Sequence, residues 1–224
     1  MKLENWLVVF QRFWSTHVDA LEKHLNQRAP LPAVREKETK HMTRREQYVP
    51  GAAFGAHIDK KEERWTLVLV RELAHPPAKV WNALTDPEHL REWAPFDADR
   101  NLGAVGTAQL TTVGAPKPMI SEAQVKRADA PKLLEFNWGG QDIRWELEPF
   151  GAGGTRLTLW HNIDRRFIAM GAAGWHLCID IMERFVAGHP IGRIVGPDAM
   201  KLEGWQRLHA EYAQQFGVQT PSGG

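Results

Sequence analysis

The stretch HPPAKVWNALTDPEHLREW, residues 75 to 93, limits its own local structure tightly. Pro76 and Pro77 suit the start of a helix, where a missing N–H costs nothing. Val80 and Leu84 then share one helical face, with Trp81 beside them. Pro87 pushes the residue before it out of the helical region, so the chain must turn near Asp86. Beyond the turn, Thr85 and Glu88 have the spacing of a capping box and Pro87 falls in the first turn of a second helix. Two short helices are therefore expected, anchored by Trp81 and Trp93.

Strand signals surround this pair. RWTLVLVREL precedes it as an apolar run with polar ends. After it, GTAQLTTV and MISEAQVKRA flank the turn-like GAPKP, KLLEFNW and DIRWELEPF are joined by GGQ, and TRLTLWHNI follows GAGG. Residues 142 to 148 alternate: Ile143, Trp145 and Leu147 face one way, Asp142, Arg144, Glu146 and Glu148 the other. One face of the sheet is thus covered and the other wet. By the same rule Leu134, Phe136 and Trp138 point inward, as do Leu157, Leu159 and His161. The end is helical. Trp175, Cys178, Ile179, Met182 and Val186 form an apolar stripe, with His176, Asp180 and Glu183 on the far side, and Gly188 suits the close of this helix. Asp198 is expected to cap a final helix carrying Trp205, Leu208, Tyr212 and Phe216 on one face, ending at Gly217.

The N-terminal part reads differently. Residues 3 to 27 suit an amphipathic helix whose stripe includes Leu3, Leu7, Phe10, Trp14 and Leu21. Residues 28 to 64 lose the period and read as an extended arm or linker. The expected organisation is a helix over 1–27, an arm over 28–64, one domain over 65–217 and a flexible tail over 218–224. The stripe is too large to leave in water, so the chain's own domain, a second copy or a membrane surface must cover it. Its polar face mixes Glu4, Asp19 and Glu22 with Arg12 and Lys23, which disfavours a membrane. Near-heptad spacing favours self-association, so a homodimer through residues 3–27 is expected.

A strand, a broken helix pair, an antiparallel meander and a C-terminal helix make an α+β domain. PPAKVWNALTDPEHLREW, together with GWHLCID and GWQRLHAEYAQQFG near the end, resembles the SRPBCC superfamily of START-related, helix-grip proteins. Within it the chain is similar to the branch named after the activator of the large heat-shock chaperone's ATPase. The resemblance spans residues 65 to 217 and leaves out 1 to 64. It implies a curved antiparallel sheet wrapped around a long C-terminal helix, with a cavity between them. It also implies one of three roles: holding a small apolar or amphipathic ligand, pairing with a chaperone, or a cyclase- or hydrolase-type activity.

Composition narrows the chemistry. A net charge of +1 advertises no nucleic-acid partner. No apolar run is long enough to insert in a membrane. The single Cys178 leaves no internal disulfide and fits a reducing compartment, so a cytoplasmic protein is expected. No dinucleotide fingerprint, P-loop or zincin motif occurs. Ser15, Ser121 and Ser222 sit in no nucleophile elbow. No catalytic residue, cofactor or metal is therefore expected. His17 and His24 lie two helical turns apart but lack a carboxylate partner. His176 and Asp180 read as a solvated helix face, and Cys178 as a small buried hydrophobe. His161 is the one polar side chain that register puts on the covered face. It is either a satisfied core histidine or the group that orients a ligand. The expected ligand-binding set is Trp93, Phe136, Trp138, Trp145, His161, Trp175, Cys178 and Met182. The aromatics among them are either plain core or the wall of a cavity.

Overall fold

The computed structural model describes residues 43–114 and 117–218; the amphipathic stretch 3–27, with His17 and His24, lies outside them. The described residues fall into two units, one holding residues 43–48 and one beginning at Val49. Of the first, residues 43–48 form a turn in which Gln47 N donates to Thr43 O at 3.1 Å.

The second unit is built on a single antiparallel sheet with strand order β1-β2-β8-β7-β6-β5-β4-β3. Its strands are β1 (Ala56–Lys61), β2 (Arg64–Leu73), β3 (Phe96–Ala98), β4 (Gly106–Thr112), β5 (Met119–Asp129), β6 (Leu133–Trp138), β7 (Gln141–Phe150) and β8 (Gly154–Asn162). β1 lies inside the stretch 28–64 that reads as an arm. Its sequence AHIDKK is half charged and hides the strand from a hydrophobicity pattern, as suits an edge. Alternation holds along the central strands. Leu67, His161, Ile143, Phe136 and Val125 form one rung across five neighbours, β2, β8, β7, β6 and β5. All five are buried, and His161 is the only polar member. On the opposite face Arg144 pairs with Glu146 and stacks on Trp160 at 5.0 Å, so Glu146 is tied up in a surface ion pair.

Two short helices, α1 (Pro77–Thr85) and α2 (Pro87–Trp93), follow β2. The break between them falls at Asp86, as predicted, but the cap does not belong to Thr85. Pro87 holds Asp86 extended at φ −75°, ψ 127°, and the Asp86 carboxylate accepts from Glu88 N at 2.9 Å and His89 N at 3.3 Å. Thr85 instead closes α1, donating its hydroxyl to Trp81 O at 2.9 Å. Trp93 Nε1 donates to Ala83 O at 2.9 Å, which ties α2 back to α1.

The long helix α3 (Ile168–Val186) lies on the covered face, and Trp175, Cys178, Ile179, Met182 and Val186 are all buried. Gly188, at φ 80°, follows it in the left-handed region, where glycine carries no steric cost. A short α4 (Pro197–Met200) comes next and absorbs Asp198 into its first turn. The final helix α5 (Trp205–Phe216) therefore starts after Gly204, at φ 85°, and not from an Asp198 cap.

α5 changes the environment of α3. The side expected to be solvated is covered, and His176 is fully buried. Its Nδ1 lies 2.9 Å from the Tyr212 hydroxyl, and Phe54 packs edge-on at 4.8 Å. Arg71 reaches Asp180 at 2.5 Å and sits 3.6 Å over the Phe54 ring. Burial pushes the Tyr212 hydroxyl up to about 12, so it stays protonated and able to donate. A sequence pattern counts the polar residues of one helix and cannot see a second helix arriving to partner them. Among the described residues no helix is long and apolar enough to cross a membrane.

Candidate functional site

Aromatic rings from six elements meet between the sheet and α3. Trp145 of β7 meets Trp93 of α2 at 6.2 Å and Trp175 of α3 at 5.4 Å, both near perpendicular. Trp175 also meets Trp138 of β6 at 6.2 Å and His161 of β8 at 5.8 Å. Edge-to-face packing of this kind matches positive ring edges to negative ring faces. Phe96 of β3 joins Phe136 at 5.9 Å to Trp138 at 5.3 Å. Six of the eight expected residues therefore form one connected cluster, and Phe96 belongs to it although no pattern in the sequence marks it. β3 has only three residues and is too short to show a period.

Cys178 and Met182 are buried further along the α3 stripe. Burial pushes the Cys178 thiol up to about 12, and the nearby Arg193 guanidinium offsets only part of that. The thiol is therefore an inert hydrophobe and not a nucleophile. Arg193 itself binds Asp97 at 2.8 Å and Ala94 O at 3.2 Å. Cys178 thus lies toward the α2–β3 connection.

A short string of hydrogen bonds crosses the apolar cluster. Trp175 Nε1 donates to His161 Nδ1 at 2.9 Å, and His161 Nε2 lies 2.8 Å from Gln141 Oε1. An indole N–H can only donate, so Nδ1 carries the lone pair and the ring proton sits on Nε2. Burial holds the imidazole neutral by lowering its pKa to about 4. A proton could be added only at Nδ1, at the expense of the Trp175 bond. His161 in this arrangement is not a general base.

Exposure is graded along the cluster. Trp145, Phe136 and Trp93 are buried almost completely, whereas Trp138 and Gln141 are half-buried. These two are register partners across the β6–β7 turn. Trp138 Nε1 donates to Thr112 Oγ1 at 3.1 Å, which uses the only donor the indole has. In the sequence pattern Gln141 falls in the GGQ turn. The signal that finds it is the β7 alternation carried one step back, since Gln141, Ile143, Trp145 and Leu147 share one face. Ser121, on β5, has a hydroxyl shielded from solvent and without a partner.

An antiparallel sheet wrapped around one long helix, with an aromatic cluster between them, is the helix-grip form of an α+β domain. The chain belongs to the family described as Activator of Hsp90 ATPase homolog 1-like protein, which matches residues 74–187, just over half of its length. That match ends with α3 and excludes β1 and α5. No curated protein matches the chain. A conserved protein of unknown function from Enterococcus faecalis has a similar structure, with a TM-score of 0.56 at 15% identity, over 71% of this chain and 89% of that one. So does CalU16 from Micromonospora echinospora in solution, with a TM-score of 0.55 at 19% identity, over 75% of this chain and 93% of that one. At such identities the likeness is one of fold.

Proposed function

We propose that the protein binds a small apolar or amphipathic molecule between the sheet and α3. Trp93, Phe136, Trp138, Trp145, Trp175, Cys178 and Met182 supply the apolar surroundings, and the polar string through His161 orients the ligand. The observation that supports this reading is that string itself, which runs from buried Trp175 through His161 to half-buried Gln141 inside an otherwise apolar cluster. Small-molecule sites combine mostly apolar walls with a few fixed polar groups in this manner.

Intrinsic tryptophan fluorescence, titrated with fatty acids, bicyclic aromatics and flavonoid-like compounds, tests the reading. Saturable quenching by at least one class is expected, and it should weaken in Trp138→Ala. A flat response across the panel would remove it. The family description favours a second reading, a co-chaperone-like interaction module. Calorimetric titration with a purified Hsp90-type chaperone separates the two, because only the second requires binding there.

A further inference from the structure

We infer that Gln141 is the specificity-determining donor of this site, and that the ligand class is a flat apolar molecule bearing a carbonyl acceptor. The inference rests on the binding reading above and adds the chemistry of the ligand's polar end. Trp175 fixes every donor and acceptor in the string. Its indole N–H occupies His161 Nδ1, which leaves His161 Nε2–H to be given away, and Gln141 Oε1 receives it. The reverse orientation of the Gln141 amide would set two N–H groups against each other. The amide nitrogen of Gln141 is thus turned away from His161 with both N–H bonds, and among the described residues no side chain or carbonyl accepts them.

What lies beside that amide defines the rest of the ligand. Trp138 pairs with Gln141 in the ladder and is half-buried, stacked at 6.4 Å and 29° to the His161 ring. Its N–H is already spent on Thr112, so it offers only a ring. A flat apolar body against Trp138 and an acceptor oxygen toward Gln141 complement these two side chains. His161 is a positioning residue: it touches the ligand through Gln141, whose amide it holds in one orientation.

The test uses a matched pair of probes, 2-acetylnaphthalene and 2-ethylnaphthalene, titrated into the full-length protein by tryptophan fluorescence. The ketone should bind roughly 3- to 10-fold more tightly, the span expected of one hydrogen bond. Gln141→Glu keeps an acceptor for His161 but removes the N–H donors, so it should erase this preference. His161→Phe should also lower the preference by freeing the amide. Nitrogen NMR of the native protein should show His161 protonated at Nε2 and bare at Nδ1. If neither probe binds while another class of the panel does, this inference falls and the binding reading stands; if nothing in the panel binds, both fall. Equal binding of the two, a preference that survives Gln141→Glu, or a proton on Nδ1 would overturn the Gln141 assignment and leave the binding reading standing.

Discussion

His176 Nδ1 lies 2.9 Å from the hydroxyl of Tyr212, and this contact fastens α5 to α3 beneath Phe54. Both residues are fully buried, so no water can replace a lost partner. Tyr212→Phe keeps the ring and removes only the oxygen, leaving a buried ring nitrogen unpaired. That should cost about 1–3 kcal/mol. Asp180→Asn strips the counter-charge from Arg71 on the same seam and should cost about 3 kcal/mol. Urea unfolding followed by circular dichroism measures both. Tyr212→Phe within a few tenths of wild type would mean that the hydroxyl is not engaged.

The turn between α1 and α2 gives a cleaner local test. Asp86 caps two backbone N–H groups, whereas the Thr85 hydroxyl only adds a second donor to the Trp81 carbonyl. Asp86→Ala should therefore cost about 1 kcal/mol. Thr85→Val keeps the buried volume and should cost less. The reverse ranking in thermal melts would return the cap to Thr85.

How far the sequence alone reached follows from which interactions are local. The helix break at Pro87, the alternation that turns Trp145 and His161 inward, and the α3 stripe all arise from neighbours within a few residues. They could be read directly. β1 and β3 could not, because one is charged as an edge strand and the other is too short for a period. His176 looked solvated because α5 is distant in sequence. Gln141 was missed for a related reason: its role appears only once Trp175, on another element, has settled the His161 tautomer.

The two half-faces of the aromatic cluster should respond differently to truncation. Trp145 is buried between Trp93 and Trp175, so Trp145→Ala should cost about 3–5 kcal/mol whether or not a ligand binds. Trp138 is half-buried and has less packing to lose. Trp138→Ala should cost clearly less than Trp145→Ala in urea while weakening 2-acetylnaphthalene binding more than 10-fold, a loss of about 1.4 kcal/mol or more. Equal stability losses with unchanged ligand affinity would mark both as core and leave no ligand-facing wall at Trp138.

His161 should make the protein sensitive to mild acid. Unfolded, the imidazole takes up a proton near 6.5; folded, burial delays this until about 4. Between those values the unfolded chain binds more protons, so acid favours unfolding there. The stability present above pH 6.5 should fall as the pH is lowered toward 4, by about 2–3 kcal/mol from this one group. The informative quantity is a difference between variants. His161→Gln can still accept from Trp175 and donate to Gln141 but cannot ionise. Urea unfolding at pH 7.5 and at pH 4.5 should show wild type losing more stability than His161→Gln by about that amount. Parallel losses in the two proteins would mean that His161 is not held neutral by its surroundings.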